Sequence, residues 1–466
     1  MKKYIFTLTL ILLGGCSLTP DYKRPEMAMP ENFKEISKLW EIAKPSDDLP
    51  KGDWWKEFND PILNNLVSKI NSNNFQLMAA VSRYDSARAY LDANSASLLP
   101  QVGLFGTATS NRQSIDRPLR GAKQPDFYPT NTVGAQANYE LDIWGRVRSQ
   151  VNSASALAEA AKADLETVRL LLESELINNY FALRSADSQL DIFDDNIKTY
   201  QKQVSVIEYR YKEGVVGGAD LYRVQTLLEN EQIKRSTLVV KRAQYEHAIA
   251  LLVGEPASSF NLAKGSISTI TLPKIALQIP STLLQRRPDI AAAERRVAAS
   301  NESIGVAKSA FFPTISLSAI GGYQNAGNNS LISAPTQFWS IGPMAFFTIF
   351  DGGLRSAVVN QAVAKNSETI AVYKNTVLSA VKEVEDVLVD MKNRETSLVH
   401  VDNALASSNK SYGISVARYN EGVANYLEIV DAALQKSQSE LLKVDYQSQL
   451  LIDRVLLVKA LGGYWQ

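Results

Sequence analysis

One six-residue phrase occurs twice, and this duplication limits the possible folds more than any other feature of the chain. Arg210-Tyr211-Lys212-Glu213-Gly214-Val215 returns 208 positions later as Arg418-Tyr419-Asn420-Glu421-Gly422-Val423. The stripes leading into both copies share the offset: Leu176, Leu183, Leu190, Ile197 and Val204 recur every seventh residue, and Val384, Met391, Leu398 and Leu405 do the same. Apolar residues at that interval form the seam of a coiled coil. No Pro or Gly interrupts Arg146 to Glu213 or Leu354 to Tyr412. Each stretch predicts one helix of roughly 60 to 70 residues, about 100 Å long at about 1.5 Å per residue. Helices of that length exceed what a compact globular domain uses, so the architecture to explain is a duplicated long-helix unit.

Strand patterns sit at matching places in the two repeats. Thr132 to Ile143 alternates, with Val133, Ala135, Ala137, Tyr139, Leu141 and Ile143 on one face and Thr132, Gln136, Asn138, Glu140 and Asp142 on the other. That period of two suits a membrane β-strand. Gln101 to Asn111 is its weaker partner across a polar loop. Thr314 to Tyr323 and Phe338 to Phe350 predict a second hairpin around Gly327-Asn328-Asn329-Ser330. Four strands cannot close a barrel, and open edges do not survive in lipid, so several copies must pool their strands. Two, three or four copies satisfy this requirement equally.

Composition removes other classes. Lys plus Arg and Asp plus Glu both number 49, and no long cationic block appears, so no nucleic-acid partner is expected. After the N-terminus no apolar run reaches the roughly 18 to 20 residues a membrane helix needs. His247 and His400 lack a ligand cluster, so no metal site is expected. No nucleotide, hydrolase or redox motif is found; neither a cofactor nor an enzymatic activity is expected.

Met1-Lys2-Lys3 followed by the apolar run Tyr4 to Leu13 reads as a secretory signal over residues 1–15. Its ending, Leu13-Gly14-Gly15-Cys16, resembles the bacterial lipobox. Cys16, the single cysteine of the chain, is therefore the expected lipidation site, and Ser17 after it implies sorting to the outer membrane. With one cysteine, no disulfide can form within the chain.

Across essentially the whole mature chain the sequence resembles the TolC-like outer-membrane factors, in the lipoprotein branch serving resistance-nodulation-division type efflux pumps. The residues that carry the resemblance are Asp53-Trp54-Trp55 with Phe58-Asn59-Asp60-Pro61, Leu283-Leu284-Gln285-Arg286-Arg287-Pro288-Asp289-Ile290 with Glu294, the paired Tyr-x-x-Gly turns, and Leu461-Gly462-Gly463-Tyr464-Trp465. The resemblance implies an α+β membrane protein: a homotrimer with a 12-stranded outer-membrane β-barrel continuous with a 12-helix periplasmic coiled-coil barrel, and an equatorial mixed domain. Asn64 to Leu98 and Pro288 to Phe311 are expected as shorter helices. The implied divisions are a lipid-anchored segment over 16–60, repeat one over 61–259, an equatorial linker over 260–280, repeat two over 281–459 and a C-terminal equatorial tail over 460–466.

The resemblance also implies a passive exit duct for a tripartite multidrug efflux system, gated at its helix tips. Glu428 and Asp431 match the family's acidic constriction, and Tyr419 its gate tyrosine, with Asp220 as the hydrogen-bond partner on the neighbouring coil. The chain departs from some members at Ala424, which cannot donate where they carry a basic residue; Arg210, Arg418 or Arg223 could substitute. Gly214, Val215 and Val216, with Gly422, Val423 and Ala424, are the implied docking turns for a periplasmic adaptor (membrane fusion) protein, through which an inner-membrane pump is engaged indirectly. Outer-membrane lipid is the remaining partner. Two other readings stay open: a duct for metal-ion or protein export, and a non-conducting lipid-anchored coiled-coil scaffold. Six Met and two His weaken a soft-metal duct, because such ions favour thioether and imidazole ligands.

Overall fold

The computed structural model describes residues 17–27, 33–35, 53–116, 124–273, 287–327 and 330–463. The predicted signal peptide, Cys16, Leu283 to Arg286 and Tyr464-Trp465 lie outside the described residues. Contacts divide the chain into two compact units, one of residues 1–26, 83–162 and 292–373, the other of 27–82, 163–291 and 374–466. No described helix is long and apolar enough to cross a membrane.

The first unit holds an antiparallel four-stranded sheet in the order β1-β2-β3-β4, with β1 Gln101–Arg112, β2 Phe127–Glu140, β3 Thr314–Asn325 and β4 Gln337–Phe346. Among the described residues, β1 and β4 each have one strand neighbour. Two expected strand ends move. β2 stops at Glu140, not Ile143, because the Asp142 carboxylate turns to accept from the amides of Val147 and Arg148, both at 2.9 Å, and so caps the following helix. β4 stops at Phe346, not Phe350, because its partner β3 begins at Thr314, which pairs with Phe346. The preceding Pro313 has no amide to offer, and its carbonyl accepts from the Trp144 indole at 2.8 Å.

Helix α3, Arg146–Lys212, and helix α6, Leu354–Asn420, follow the two hairpins; each runs for 67 residues, as the uninterrupted stretches predict. Both begin with the same clamp. Arg148 Nε donates to Asp142 at 3.1 Å, and Arg355 Nε to Asp351 at 2.5 Å. Carboxylates at a helix start gain from its unpaired amides and positive end. In this unit the N-terminal strap also lies along α5, Pro288–Ser309. The Pro20 carbonyl accepts from Asn301 at 2.8 Å, and Thr19 Oγ1 shares a hydrogen bond with Ser149 at 2.7 Å. A side chain at Gly305 would overlap Thr19, so the strap requires glycine there.

The second unit is built from the remaining helical segments, including α1 Pro61–Asn73 and the paired α4 Gly218–Leu252 and α7 Tyr426–Leu461. The predicted seam is its core: Leu176, Leu183, Val384 and Met391 are fully buried and Leu190 nearly so. The expected single helix Asn64 to Leu98 is two, because Asn74 breaks it between α1 and α2, Phe75–Ser95. The buried Asn74 amide donates to the Leu252 carbonyl at 2.7 Å while its oxygen caps Leu77 N at 2.9 Å.

Arg287 explains the Arg-Pro-Asp-Ile signature. Its buried guanidinium forks onto Asp289 at 3.0 and 2.7 Å and reaches Glu383 at 2.9 Å and the Ala460 carbonyl at 2.8 Å. One side chain thus ties the start of α5 to α6 and α7. A second buried cluster fastens the linker after α4: Asp187 takes Arg184, Arg242 and the Gly265 amide, and both arginines donate to linker carbonyls.

Candidate functional site

Both copies of the duplicated phrase end a long helix in the same way. At the end of α3, Gly214 has φ +71°, its amide donates to the Tyr211 carbonyl at 3.1 Å, and Val215 N donates to the Arg210 carbonyl at 2.8 Å. At the end of α6, Gly422 has φ +76°, with bonds to Tyr419 and from Val423 to Arg418, both at 3.0 Å. This is the paired closure in which a left-handed residue satisfies the last free carbonyls, a position that suits glycine. Gly254 and Gly462, at φ +72° and +89°, close α4 and α7 by the same pair of bonds.

Between the glycines and the next helix the sequence diverges. Asn425 caps α7 through its side chain, accepting from Leu427 N at 2.6 Å, whereas Gly217 precedes α4 without a side-chain cap. Beneath the turns Ile207, Leu221, Val224 and Val430 form a buried cluster joined by Val204, Val216, Leu227, Tyr426 and Leu434. The two helical hairpins therefore share one core at this end.

Of the expected docking residues, Gly214, Val215, Gly422 and Val423 are exposed, Ala424 is half-buried, and Val216 packs on that core. A side chain at either glycine would meet only open space. Asp220 and Glu428 are equivalent, 208 positions apart, each in the first turn of its helix, where a carboxylate is favoured. Glu428 lies 3.5 Å from Arg418, both about half exposed, so the pair contributes little to stability. Asp431 is exposed one turn on.

Tyr419 takes a partner other than Asp220. Within the chain its phenol accepts from Arg210, whose guanidinium also lies 5.2 Å over the ring. Arg210 sits on the last turn of α3, so it reaches across to α6, while Asp220 lies beyond the reversal on α4. Tyr426 meets the Tyr419 ring edge to face at 5.6 Å. Its hydroxyl is buried without a partner among the described residues, and burial raises its pKa above the ordinary tyrosine value. Further along the hairpins a polar layer joins three helices: Asn196 on α3 donates to Glu231 on α4 at 2.9 Å and to Ser437 on α7 at 2.5 Å, and Glu231 is buried. Sequence reading passed over Tyr426 and this layer. Arg210 is one of the three arginines expected to substitute for the donor missing at Ala424, and it is the one that bonds Tyr419. Cys16 lies outside the described residues.

Comparison with known proteins accounts for this arrangement. The sequence profile described as "Outer membrane efflux protein" matches residues 66–255 and 279–463. Outer membrane protein OprJ of Pseudomonas aeruginosa is 31% identical over all of this chain and 97% of its own length. The solvent efflux pump outer membrane protein SrpC of Pseudomonas putida is 29% identical over 98% of this chain and 97% of its own. Among solved structures, the outer-membrane channel OprN superposes with a TM-score of 0.88 at 29% identity, covering 97% of this chain and all of that one. The protein is thus an exit duct for efflux located in the outer membrane, and its work is transport, not catalysis. With its repeat, its strands and its length accounted for, the chain belongs to the outer membrane efflux protein family.

Proposed function

We propose that three copies of the chain assemble, pooling their strands into a twelve-stranded barrel and their long helices into a periplasmic tunnel. The observation that carries this reading is the sheet itself: β1 and β4 each leave one edge without a strand partner, and such edges must be paired inside a bilayer. Three copies bring twelve strands, above the lower limit of about eight for such barrels.

In this reading the helix reversals are the gate. Glu428 and Asp431 from three copies ring the constriction, attracting cations and repelling anions most strongly when the pore is narrow. Tyr419 helps hold the tips closed through Arg210 within a copy, and Asp220 lies available to a neighbouring copy. A periplasmic adaptor docks its helices at Gly214-Val215 and Gly422-Val423, where small residues allow close approach, and repacks the tips so that substrate diffuses outward. The inner-membrane pump selects the cargo and the duct passes what arrives; one relative is named for solvent efflux. Cys16 carries lipid that sorts and anchors the protein. The strap supports this, because Thr19, three residues on, is fixed beside Ser149 at the start of α3.

Single-channel recording of purified protein in planar bilayers tests the proposal. Small cation-selective currents from a cross-linkable trimer are expected. Folded protein that stays silent in wild type and in tip variants alike would rule out the gated tunnel. Cys16→Ser is expected to leave trimers and part of the efflux; complete loss of trimer would show that lipid, not the barrel, holds the protein in the membrane.

A further inference from the structure

A cavity of about 400 Å³ opens in the second unit. Its lining includes Trp54, Trp55, Leu170 and Pro288, and four ionisable groups: Asp53, Glu166, Arg169 and Glu173. A volume of this size suits a small organic ligand. Three of the ionisable groups are acids and one is a base. Arg169 is engaged by Glu166 at 3.0 Å, and Asp53 by Lys56.

Glu173 differs from these. It is 6% exposed and has no ion-pair partner among the described residues; the Trp54 indole N–H faces it without closing a hydrogen bond of good geometry. A lone carboxylate removed from water is costly unless something compensates it. A bound proton is one such compensation. Burial, with smaller contributions from Glu166 and Asp53 and against Arg169, pushes this carboxyl up to about 7. A ligand that brought its own positive charge could take the place of that proton, and Trp54 and Trp55 in the lining supply aromatic surface for its body. An anion would find no free cation, since Arg169 is engaged by Glu166, and a neutral molecule would leave Glu173 holding its proton and so gain nothing from the carboxylate.

We propose that this cavity binds a small organic cation, an ammonium on an aromatic body, with the ammonium on Glu173 and the body against Trp54, Trp55 and Pro288. The site stands apart from the helix tips and does not depend on the gate or on the number of copies. Binding displaces the Glu173 proton to solvent, so affinity rises with pH while the amine stays charged.

Calorimetry on the full-length protein in nanodiscs tests this, with 2-phenylethylamine as probe and 2-phenylethanol as its neutral counterpart. Between pH 6 and pH 8 the ionised fraction of a group titrating near 7 climbs from about a tenth to about nine tenths, so amine affinity should tighten about tenfold. Buffers of different ionisation heat should report release of roughly half a proton at pH 7, and Glu173→Gln should abolish the pH dependence. Equal binding of amine and alcohol, equal affinity at the two pH values, or no amine binding to the wild type would each overturn the proposal. If the Gln variant fails to fold, proton release by the wild type decides the matter.

Discussion

Arg210 on α3 donates to the phenol of Tyr419 on α6 and lays its guanidinium over the same ring, so a side chain of the first repeat is fastened to one of the second. A hydrogen bond and a cation–π contact together contribute about 1 to 2 kcal/mol. That is small against the stability of the whole protein and large against a tip poised between two states. Arg210→Ala should therefore leave the fold intact and raise single-channel conductance. Tyr419→Phe, which keeps the ring and loses the acceptor, should raise it less. Wild-type conductance in Arg210→Ala would show that this contact does not hold the tips.

The two acids of the second tip should contribute unequally. Arg418 partly neutralises Glu428, whereas Asp431 has no basic partner among the described residues. Asp431→Asn is thus expected to lower cation selectivity more than Glu428→Gln, and the double alanine variant should lower it most. Reversal potentials in asymmetric salt measure this, and unaltered selectivity in the double variant would move the constriction elsewhere.

Gly214 and Gly422 give a cleaner separation of docking from folding. Nothing lies within 4 Å of a side chain added at either, and the left-handed backbone costs a non-glycine residue roughly 1 to 2 kcal/mol. Gly214→Asp and Gly422→Asp should therefore still form trimers in membranes while drug efflux in cells collapses. Efflux at wild-type level would remove the turns from the docking surface.

Glu173 makes stability depend on pH. Its folded-state value of about 7 lies above its ordinary 4.5, so across that window the folded chain keeps a proton that the unfolded chain has lost. Stability falls as pH rises from about 4.5 through about 7, by an amount on the order of 3 kcal/mol. Glu173→Gln escapes this penalty. Its thermal midpoint, relative to wild type, should be higher at pH 8 than at pH 5, and a constant difference would show that the carboxyl titrates normally.

The parts of this structure legible in sequence were those governed by period. Seven-residue spacing marked the helices from Arg146 and Leu354, alternation marked the strand from Thr132, and the repeat placed the other three strands. Both periods depend on which face of an element meets its neighbour, and residue type records that directly. The misplaced boundaries depended on single polar contacts instead. Asp142 leaves the strand to cap a helix, and Asn74 splits one helix into two by bonding Leu252, which lies far along the chain. Nothing in the local pattern distinguishes such residues from solvated ones. Arg210 was legible only as one of three arginines able to replace the donor missing at Ala424; its choice over Arg418 and Arg223 depends on how the two repeats pack, which the sequence compares but does not bring together.

The four closing glycines, Gly214, Gly254, Gly422 and Gly462, lie at matching intervals, 40 residues within each repeat and 208 between repeats. Evolution of these helical hairpins is consequently confined to coordinated steps. Removing one residue from α3 alone would lift its turn by about 1.5 Å and rotate every later side chain by about 100°, pulling Ile207 out of the shared core. Only whole heptads, gained or lost together in all four helices, preserve both height and face. Relatives whose tunnels differ in length should therefore differ by multiples of seven residues, inserted in matched sets.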